Sequence, residues 1–310
     1  MSVCILMATW QGAAHLAAQL GSIAAQTAGD WLLLASDDGS ADGTLDLLAG
    51  FAADHPGRVR IMAGPGQGAS ANFLHLLMQP EAGAADHVAF CDQDDVWMAD
   101  RLARGVAALA DVPAGVPGLA CGRTWVCDAA LGQRRLSALP DRPAGFRHAL
   151  VQNISSGNTL LLNRSAVALL RAAVQDLGNR AGALPYHDWW AYQMVAGAGG
   201  VVRFDPEPLL FYRQHAGNLV GSGHQTRALW QRPLRVISGR YGVHAAAQGE
   251  ALAASSQRLT AENRALLAGT QALRKAGLVT RLRGLARLGL YRQGRAGRLA
   301  LWAAAGAGRV

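Results

Sequence analysis

The sequence predicts an α/β fold, a mostly parallel, doubly wound sheet flanked by helices, followed by a basic helical C-terminal extension. Three observations lead to this class. Apolar runs of strand length alternate with helical segments over residues 1–110. Polar clusters follow three of those runs, and sheets of this kind bind ligands at the carboxyl ends of their strands. Residues 225–310 are strongly basic and have helical spacing.

The first part of the chain consists of successive strand and helix units. Apolar runs predict four strands, and Ala- or Leu-rich stretches predict four helices. The predicted strands are Val3 to Ala8, Trp31 to Ala35, Arg58 to Met62 and His87 to Cys91. The predicted helices are Ala13 to Gln26, Leu45 to Ala53, Ala71 to Met78 and Asp100 to Leu109. Strands joined through helices pair in parallel, so their polar ends should meet at one rim and define a cleft.

Length and composition predict a globular, intracellular protein. The chain has 310 residues, of which 51% are hydrophobic and 16% charged, enough to bury a large core. The apolar start lacks a basic leader and a cleavage site and is too short to span a bilayer. The four cysteines have no metal-ligand spacing, and we expect reduced, buried thiols. The expected location is therefore the cytoplasm.

The net charge of +8 is unevenly distributed. Residues 225–310 hold 15 Arg or Lys against two acids, a net charge of +13, which leaves −5 for residues 1–224. Apolar and basic residues alternate there at helical spacing, a pattern suited to the anionic inner face of the cell membrane. A solvated helical face is the alternative, and nucleic acid is disfavoured because few aromatic residues are available for stacking. The pattern comprises Leu278, Leu282, Leu285, Leu288, Leu290 and Tyr291 with Arg281, Arg283, Arg287, Arg292, Arg295 and Arg298.

Three carboxylates within four residues follow the fourth predicted strand. Asp92, Asp94 and Asp95 repel one another unless a cation or hydrogen-bond donors compensate. A divalent metal, Mg²⁺ or Mn²⁺, bound with a phosphate-bearing ligand accounts for them. The alternative is an acidic turn that caps the following helix.

A second polar cluster, Ser36 to Thr44, follows the second predicted strand. Its glycines allow tight turns, and Asp37 and Asp38 can accept hydrogen bonds from a base N–H or a ribose hydroxyl. Its position on the same rim as Asp92 favours a nucleotide site over a plain turn. The chain contains neither a Walker-type phosphate loop nor G-x-G-x-x-G after the first strand, which disfavours P-loop proteins and dinucleotide enzymes.

The order and spacing of these segments resemble the family 2 inverting glycosyltransferases of the GT-A fold. The resemblance rests on Val3 to Gly12, Ala35 to Thr44 and Phe90 to Trp97, and the Asp-Gln-Asp-Asp-Val-Trp form resembles the bacterial rhamnosyltransferase-like branch. It implies a GT-A domain over residues 1–224, with a nucleotide-binding half at about 1–110 and an acceptor half at about 111–224. Residues 225–310 form the extension.

The resemblance also implies roles for residues of the nucleotide-binding half. Thr9, Asp37 and Asp38 are implied contacts of the nucleoside. Asp92 is implied near the ribose, and Asp94 as a metal ligand with Asp95 in support.

Three later segments extend the resemblance. Ser155 to Leu162 resembles the segment beneath the acceptor site. Tyr186 to Trp190 resembles the segment that carries the catalytic carboxylate, so Asp188 is the candidate general base, with a helix cap as the alternative. Trp189 and Trp190 are expected either to form an acceptor platform or to pack in the core.

The segment Phe211 to Asn218 resembles a family segment, R-x-H-x-x-N, near the donor diphosphate. It implies that Arg213 and His215 bind phosphate or complete the metal shell, and metal binding requires a neutral His215.

The implied reaction is transfer of a sugar from a nucleotide donor, deoxythymidine-diphosphate rhamnose or a UDP-sugar, to a saccharide or lipid-linked acceptor of a surface glycan. No Q-x-x-R-W motif follows Tyr186 to Trp190, and no transmembrane segment is expected. The prediction is therefore addition of one or a few sugars and not processive synthesis. The stretch from Ala114 to Arg147 is expected to supply loops that meet the acceptor. Two alternatives remain at this point, a catalytically silent nucleotide-sugar-binding scaffold and a nucleotidyltransferase.

Overall fold

The computed structural model describes residues 2–215 and 239–309, and it confirms the predicted alternation in the first part of the chain. Every predicted strand and helix is present, with ends shifted by one or two residues. The strands are β1 (Val3–Thr9), β2 (Trp31–Asp37), β3 (Val59–Ala63) and β4 (His87–Asp92). The helices are α1 (Ala13–Ala24), α2 (Thr44–Asp54), α3 (Ala69–Leu77), the short α4 (Pro80–Ala84) and α5 (Arg101–Ala108).

Parallel pairing brings the polar strand ends together. β1 lies between β2 and β4, parallel to both, and it is buried on both faces, which explains its unbroken apolar sequence. At the carboxyl ends, Thr9 pairs with Asp37 and Ala8 pairs with Asp92. The predicted rim of polar clusters is therefore present.

The second half of the sheet has mixed pairing. Its strands are β5 (Val96–Trp97), β6 (Gly118–Cys127), β7 (Arg134–Leu136), β8 (Leu161–Asn163) and β9 (Val201–Arg213). Its helices are α6 (Phe146–Ala149), α7 (Arg164–Leu177) and α8 (His187–Gly197). The strand order is β3-β2-β1-β4-β8-β6-β9-β5, with β7 beside β6. β8 is antiparallel to β4 and β6, whereas β6 and β9 are parallel. The predicted α/β class is confirmed.

The stretch from Ala114 to Arg147, expected to supply loops, contains the ten-residue strand β6. This strand is largely buried and pairs with β9, so part of the sheet lies within the stretch. Prolines lie on either side of β6, and the sequence pattern therefore marked the flanking turns and concealed the strand between them.

Four helices make up the described part of the extension, α9 (Gly239–Ala254), α10 (Ala261–Lys275), α11 (Leu278–Leu288) and α12 (Arg295–Gly306). They share a core with the body of the protein. Leu252, Leu267 and Leu285 belong to the same buried cluster as Trp190 of α8. The expected boundary at residue 224 lies outside the described residues. No helix within residues 2–215 or 239–309 has the length and hydropathy needed to cross a bilayer.

The apolar pattern of the extension faces the protein more than the solvent, which corrects the predicted membrane face. Apart from Leu278, its apolar residues are buried or half-buried: Leu282, Leu285, Leu288, Leu290 and Tyr291. Arg281 points inward too, because its guanidinium donates to the carbonyl oxygens of Leu273 at 3.2 Å and Ala305 at 2.9 Å. Helical spacing identified an apolar stripe, but packing against the neighbouring helices of the extension and against the body covers most of it.

Candidate active site

The loop after β2 is organised around the carboxylate of Asp37. This buried side chain accepts hydrogen bonds from Thr9 Oγ1, Ser40 N and Ser40 Oγ, each at 2.7 Å, and from Gly39 N at 3.0 Å. Burial acts to raise the pKa of Asp37, but the four donors outweigh it and hold the pKa below its ordinary value. Asp37 and Thr9, both predicted to contact the nucleoside, therefore hold the loop in shape.

Asp38 joins this loop to the glycine-rich turn before α3. Its Oδ1 accepts a hydrogen bond from Gly66 N at 3.1 Å, and its Oδ2 accepts one from Gly68 N at 2.9 Å. A Cβ atom on Gly64 would lie 2.2 Å from Asp38 Oδ1, so glycine is required for this close approach. Asp37 and Asp38 thus fix two loops that border the rim on one side.

The loop after β1 is clamped to the acidic segment by Gln93, a residue that the sequence did not indicate. Gln93 Oε1 accepts a hydrogen bond from Trp10 N, and Gln93 Nε2 donates to Trp10 O, both at 2.9 Å. A Cβ atom on Gly12 would lie 2.3 Å from Gln93 Oε1, which explains the glycine. The Trp10 indole is 61% exposed and offers an aromatic face at this rim.

The acidic segment is also tied to the second half of the sheet. Asp95 is fully buried, and it accepts hydrogen bonds from Asn158 Nδ2 at 2.6 Å and from Arg213 N at 3.2 Å. Arg213 Nε donates to the carbonyl oxygen of Asp94 at 2.9 Å. Asp95 and Arg213, both predicted as supporting residues, therefore connect the carboxylate loop to β9. The contact of Arg213 with a diphosphate stays a prediction.

The two predicted metal ligands are in contact with each other. His215 Nε2 lies 2.7 Å from Asp94 Oδ2, and the two side chains are only 22% and 16% exposed. The ring of His15, which the sequence did not indicate, lies 4.8 Å from the ring of His215. A carboxylate oxygen and a neutral imidazole nitrogen suit a divalent cation such as Mn²⁺. Asn218, the last residue of the R-x-H-x-x-N segment, lies outside the described residues.

In the described ranges, no three Asp, Glu, His or Cys side chains are placed to hold a metal together. Asp94 and His215 would therefore supply two ligands, and diphosphate oxygens and water would supply the rest, as is common for cations that bind together with phosphates.

Burial and nearby negative charge favour the protonated forms of Asp92 and Asp95. Burial raises the pKa of Asp92 to about 7, and the charges of Asp94 and Asp188 add to the rise. Burial also raises the pKa of Asp95 well above its ordinary value. The N-cap of α5 is Asp100, so the alternative prediction, a turn that caps this helix, does not describe these carboxylates. The excess negative charge fits a cation.

Arg101 is a buried cation beneath the cluster, and the sequence gave no indication of it. It is 2% exposed, lies 3.6 Å over the ring of Trp97, and donates to the carbonyl oxygens of Phe90 at 3.1 Å and Asn158 at 2.7 Å. Burial lowers the pKa of Arg101 to about 10, so it stays charged at neutral pH. A single positive charge offsets the nearby carboxylates only in part.

Asp188, the candidate base, lies in the first turn of α8, where the helix dipole favours an anion. Its Oδ2 accepts hydrogen bonds from Asn153 Nδ2 at 2.9 Å and Gly157 N at 3.1 Å, and its Oδ1 accepts one from Trp189 N at 2.7 Å. Burial outweighs these donors and raises the pKa of Asp188 to about 6. Gly157 also leads back to the acidic segment, because the next residue, Asn158, donates to Asp95 at 2.6 Å.

Trp189 and Trp190 are core residues, so the predicted acceptor platform is wrong. They are 5% and 0% exposed, and Trp189 Nε1 donates to the carbonyl oxygen of Ala149 at 2.7 Å. A buried indole has no face available to a saccharide. Of the two roles that the sequence left open, packing is the one observed.

A parallel half-sheet with a carboxylate cluster at its strand ends, followed by a mixed half that carries the partly buried carboxylate of Asp188, matches the fold of GT-A-like glycosyltransferases. The sequence match agrees with this class. The chain belongs to glycosyl transferase family 2, because residues 4–177, more than half of the chain, match the sequence profile of that family. It is therefore a sugar-transferring enzyme, and enzymes of this family commonly use a divalent metal.

Two relatives extend the likeness. The chain is 27% identical over 237 residues to the dTDP-rhamnosyl transferase RfbG of Shigella flexneri, which covers 73% of this chain and 77% of that protein. It is 29% identical over 106 residues to an uncharacterized glycosyltransferase, alr2836, of Nostoc, which covers 34% of this chain and 31% of that protein.

Two solved structures share the fold. S. aureus TarS 1–349 in complex with UDP has a TM-score of 0.51 at 13% identity, over 88% of this chain and 87% of that chain. The mannosyltransferase PcManGT of Pyrobaculum calidifontis, in complex with GDP-Man and Mn²⁺, has a TM-score of 0.50 at 18% identity, over 99% of this chain and 85% of that chain.

Proposed function

We propose that this enzyme is an inverting glycosyltransferase that moves a sugar from a nucleoside-diphosphate donor to a saccharide or lipid-linked acceptor in cell-surface glycan synthesis. Rhamnose is the preferred sugar because RfbG is named a dTDP-rhamnosyl transferase, and a UDP-sugar is the alternative donor. One observation carries the proposal. Gly157 N donates to Asp188, and the side chain of the next residue, Asn158, donates to Asp95, so the candidate base lies close to the acidic segment that carries the contact between Asp94 and His215.

The chemistry is a single displacement at the anomeric carbon of the donor sugar. The acceptor oxygen forms a bond to that carbon, and its hydroxyl proton passes to the carboxylate of Asp188. The bond to the diphosphate oxygen breaks with its electron pair on the opposite face, so the configuration inverts. A pKa of about 6 keeps Asp188 ionised at neutral pH and makes it a stronger base than an exposed aspartate.

The rim holds the donor. Asp94 and His215 would hold Mg²⁺ or Mn²⁺, which when bound supplies positive charge toward the leaving diphosphate. Trp10 presents its exposed indole, and base stacking on such a face contributes about 1–3 kcal/mol. Asp92, at the end of β4, is assigned to the ribose.

Product analysis with Asp188→Asn tests the proposal. The purified enzyme is incubated with deoxythymidine-diphosphate rhamnose or a UDP-sugar, an acceptor saccharide and Mn²⁺. Release of nucleoside diphosphate and an inverted linkage by NMR are expected, with turnover about 10²- to 10⁴-fold lower in the variant. Asp111→Asn is the matched control, because the Asp111 side chain is 69% exposed and pairs with Arg203.

The outcomes separate the alternatives. Wild-type turnover in Asp188→Asn would remove the base assignment. Release of pyrophosphate would indicate a nucleotidyltransferase. Nucleotide binding without turnover of any donor would indicate a binding or scaffold protein.

The extension brings the enzyme to the anionic inner face of the membrane through the residues of the predicted pattern that stay exposed, together with three exposed apolar residues that the pattern did not include. Four exposed apolar side chains lie at the start of α11 and on α12, namely Leu278, Val279, Leu299 and Trp302. Exposed Arg283 and Arg287 follow Val279 at helical spacing, and exposed Arg295 precedes Leu299 by one turn. Apolar residues flanked by arginines suit an anionic bilayer surface.

Vesicle sedimentation tests this membrane contact. The variant L278S/L299S should bind vesicles of phosphatidylcholine and phosphatidylglycerol several-fold more weakly than wild type. The control L45S/L139S removes two exposed leucines from the body of the protein and should bind like wild type. Equal binding by both double variants would assign the extension to packing alone.

A further inference from the structure

The carboxylate of Asp188 has two unequal oxygens. Oδ2 accepts two hydrogen bonds, from Asn153 Nδ2 at 2.9 Å and from Gly157 N at 3.1 Å. Oδ1 accepts one, from Trp189 N at 2.7 Å. Each carboxylate oxygen has about two lone-pair positions, so the hydrogen-bonding capacity of Oδ2 is filled while Oδ1 keeps one position.

The amide of Asn153 is held in a single orientation. Its Oδ1 accepts hydrogen bonds from Ser155 N and Ser155 Oγ, both at 2.9 Å, which requires that Nδ2 point at Asp188. Ser155 is fully buried, so water does not compete for these bonds. The Asn153 side chain is therefore a fixed donor.

Gly157 allows the second donor to approach. A Cβ atom at this position would lie 3.2 Å from His187 Nε2 and 3.4 Å from Asp188 Cβ, so a larger residue would push the turn away from α8. The short segment from Asn153 to Gly157 thus supplies both donors to one oxygen of Asp188.

We propose, on the basis of the function proposed above, that Asn153 is a positioning residue that saturates Oδ2 of Asp188 and so makes Oδ1 the atom that takes the acceptor proton. The proton moves from the acceptor hydroxyl to Oδ1 as the glycosidic bond forms, and the leaving diphosphate takes the electron pair of the broken bond. Asn153 also stabilises the anion that must exist before the proton arrives.

Three titratable groups lie around Asp188. The charge of Asp188 adds to the raised pKa of Asp92 at the end of β4, and His187 and Tyr186 precede Asp188 in the chain. His187 stacks on Phe73 at 4.1 Å, and burial lowers its pKa to about 3, so it is neutral across the working range. Asp92 is therefore the ionisable neighbour that can influence the direction in which an Asn153 substitution shifts the pKa of Asp188.

The pH dependence of kcat/KM in Asn153 variants tests the proposal. Loss of the donor in Asn153→Ala, or its replacement by a second carboxylate in Asn153→Asp, disfavours the anion of Asp188. The acid limb should move to higher pH, by about one pH unit in Asn153→Asp, with turnover at pH 7 about twofold lower from this shift and donor KM unchanged.

Asn263→Asp is the matched control. Asn263 Nδ2 donates to the carbonyl oxygen of Gly197 at 2.9 Å, so this change weakens packing without touching Asp188. It should lower the thermal midpoint and leave the acid limb in place. An unmoved limb in both Asn153 variants, with Asp188→Asn still inactive, would overturn the positioning role and leave the base assignment standing. Wild-type activity in Asp188→Asn would instead remove the proposed function on which this role rests.

Discussion

Folding shifts the pKa of Asp37, in the loop after β2, in the opposite direction from the pKa values of Asp92 and Asp188. Asp37 receives four hydrogen bonds, and its pKa lies below the ordinary value. Burial raises the pKa of Asp188 to about 6 and that of Asp92 to about 7, where Asp94 and Asp188 add to the rise. In the loop after β2, the carboxylate accepts hydrogen bonds that hold the loop. In the acidic segment and α8, the carboxylates are buried so that binding a proton or a cation stabilises them.

The largest expected effect comes from the cation ligands of the cleft. Asp94→Ala and His215→Ala should each lower turnover by about 100-fold or more, because the charge on the leaving diphosphate loses its partner. Calorimetric titration with Mn²⁺ should show weaker binding in both variants, while the exposed Asp100→Ala binds like wild type. Full activity in excess chelator would contradict the cation site and leave Asp94 with a structural role like that of Asp37.

Asp37→Asn tests the loop side of the comparison. The variant should lose about 1–3 kcal/mol of unfolding free energy at pH 7, because several donors lose an anionic partner. The pKa of Asp37 is lowered on folding, so its stabilising effect is present above the unfolded pKa and disappears as the pH falls through the folded pKa. Urea unfolding should therefore give a difference between wild type and variant that shrinks below about pH 4. A constant difference would show that charge plays no part.

Asp188→Asn should show the opposite trend in stability. The pKa of Asp188 is raised on folding, so its contribution is fully present below the unfolded pKa and is lost as the pH rises through about 6. Relative to wild type, the variant should gain about 1–2 kcal/mol between pH 4.5 and pH 8. The same urea series measures it, and parallel curves for the two proteins would contradict the raised pKa.

Trp10→Ala should have the smallest effect. The indole is 61% exposed, so unfolding should be unchanged, whereas donor KM should rise about fivefold through lost base stacking. Leu45→Ala, at another exposed apolar side chain, should leave donor KM unchanged. An unchanged KM in Trp10→Ala would restrict nucleotide binding to the carboxylate loops.

The features that could be predicted from the sequence are those that local patterns determine. Continuous apolar runs and helical spacing located the first four strands, and parallel pairing then placed Asp37 and Asp92 on one rim. Residues whose partners are distant in sequence were missed. Gln93 meets Trp10 across 83 residues, and Asn153 meets Asp188 across 35. Contacts over such sequence separations leave no periodic pattern in the sequence.

The acceptor platform and the apolar stripe of the extension were predicted wrongly for a different reason. Periodicity shows that a helix has an apolar face but not what covers that face. α8 is buried on all sides, so Trp189 and Trp190 became core residues. In α11, Leu285 is buried while Leu278 stays exposed, although both belong to one predicted stripe.

The central claim is that Asp188 is a base whose pKa is raised by the fold. The most direct measurement is a ¹³C NMR titration of the aspartate Cγ signals, with Asp188→Asn used to assign the resonance, beside the pH dependence of kcat/KM. We predict a midpoint of about 6 for Asp188 and loss of activity below the same pH. A midpoint of about 4, the ordinary value for aspartate, with activity retained below pH 6 would contradict the account.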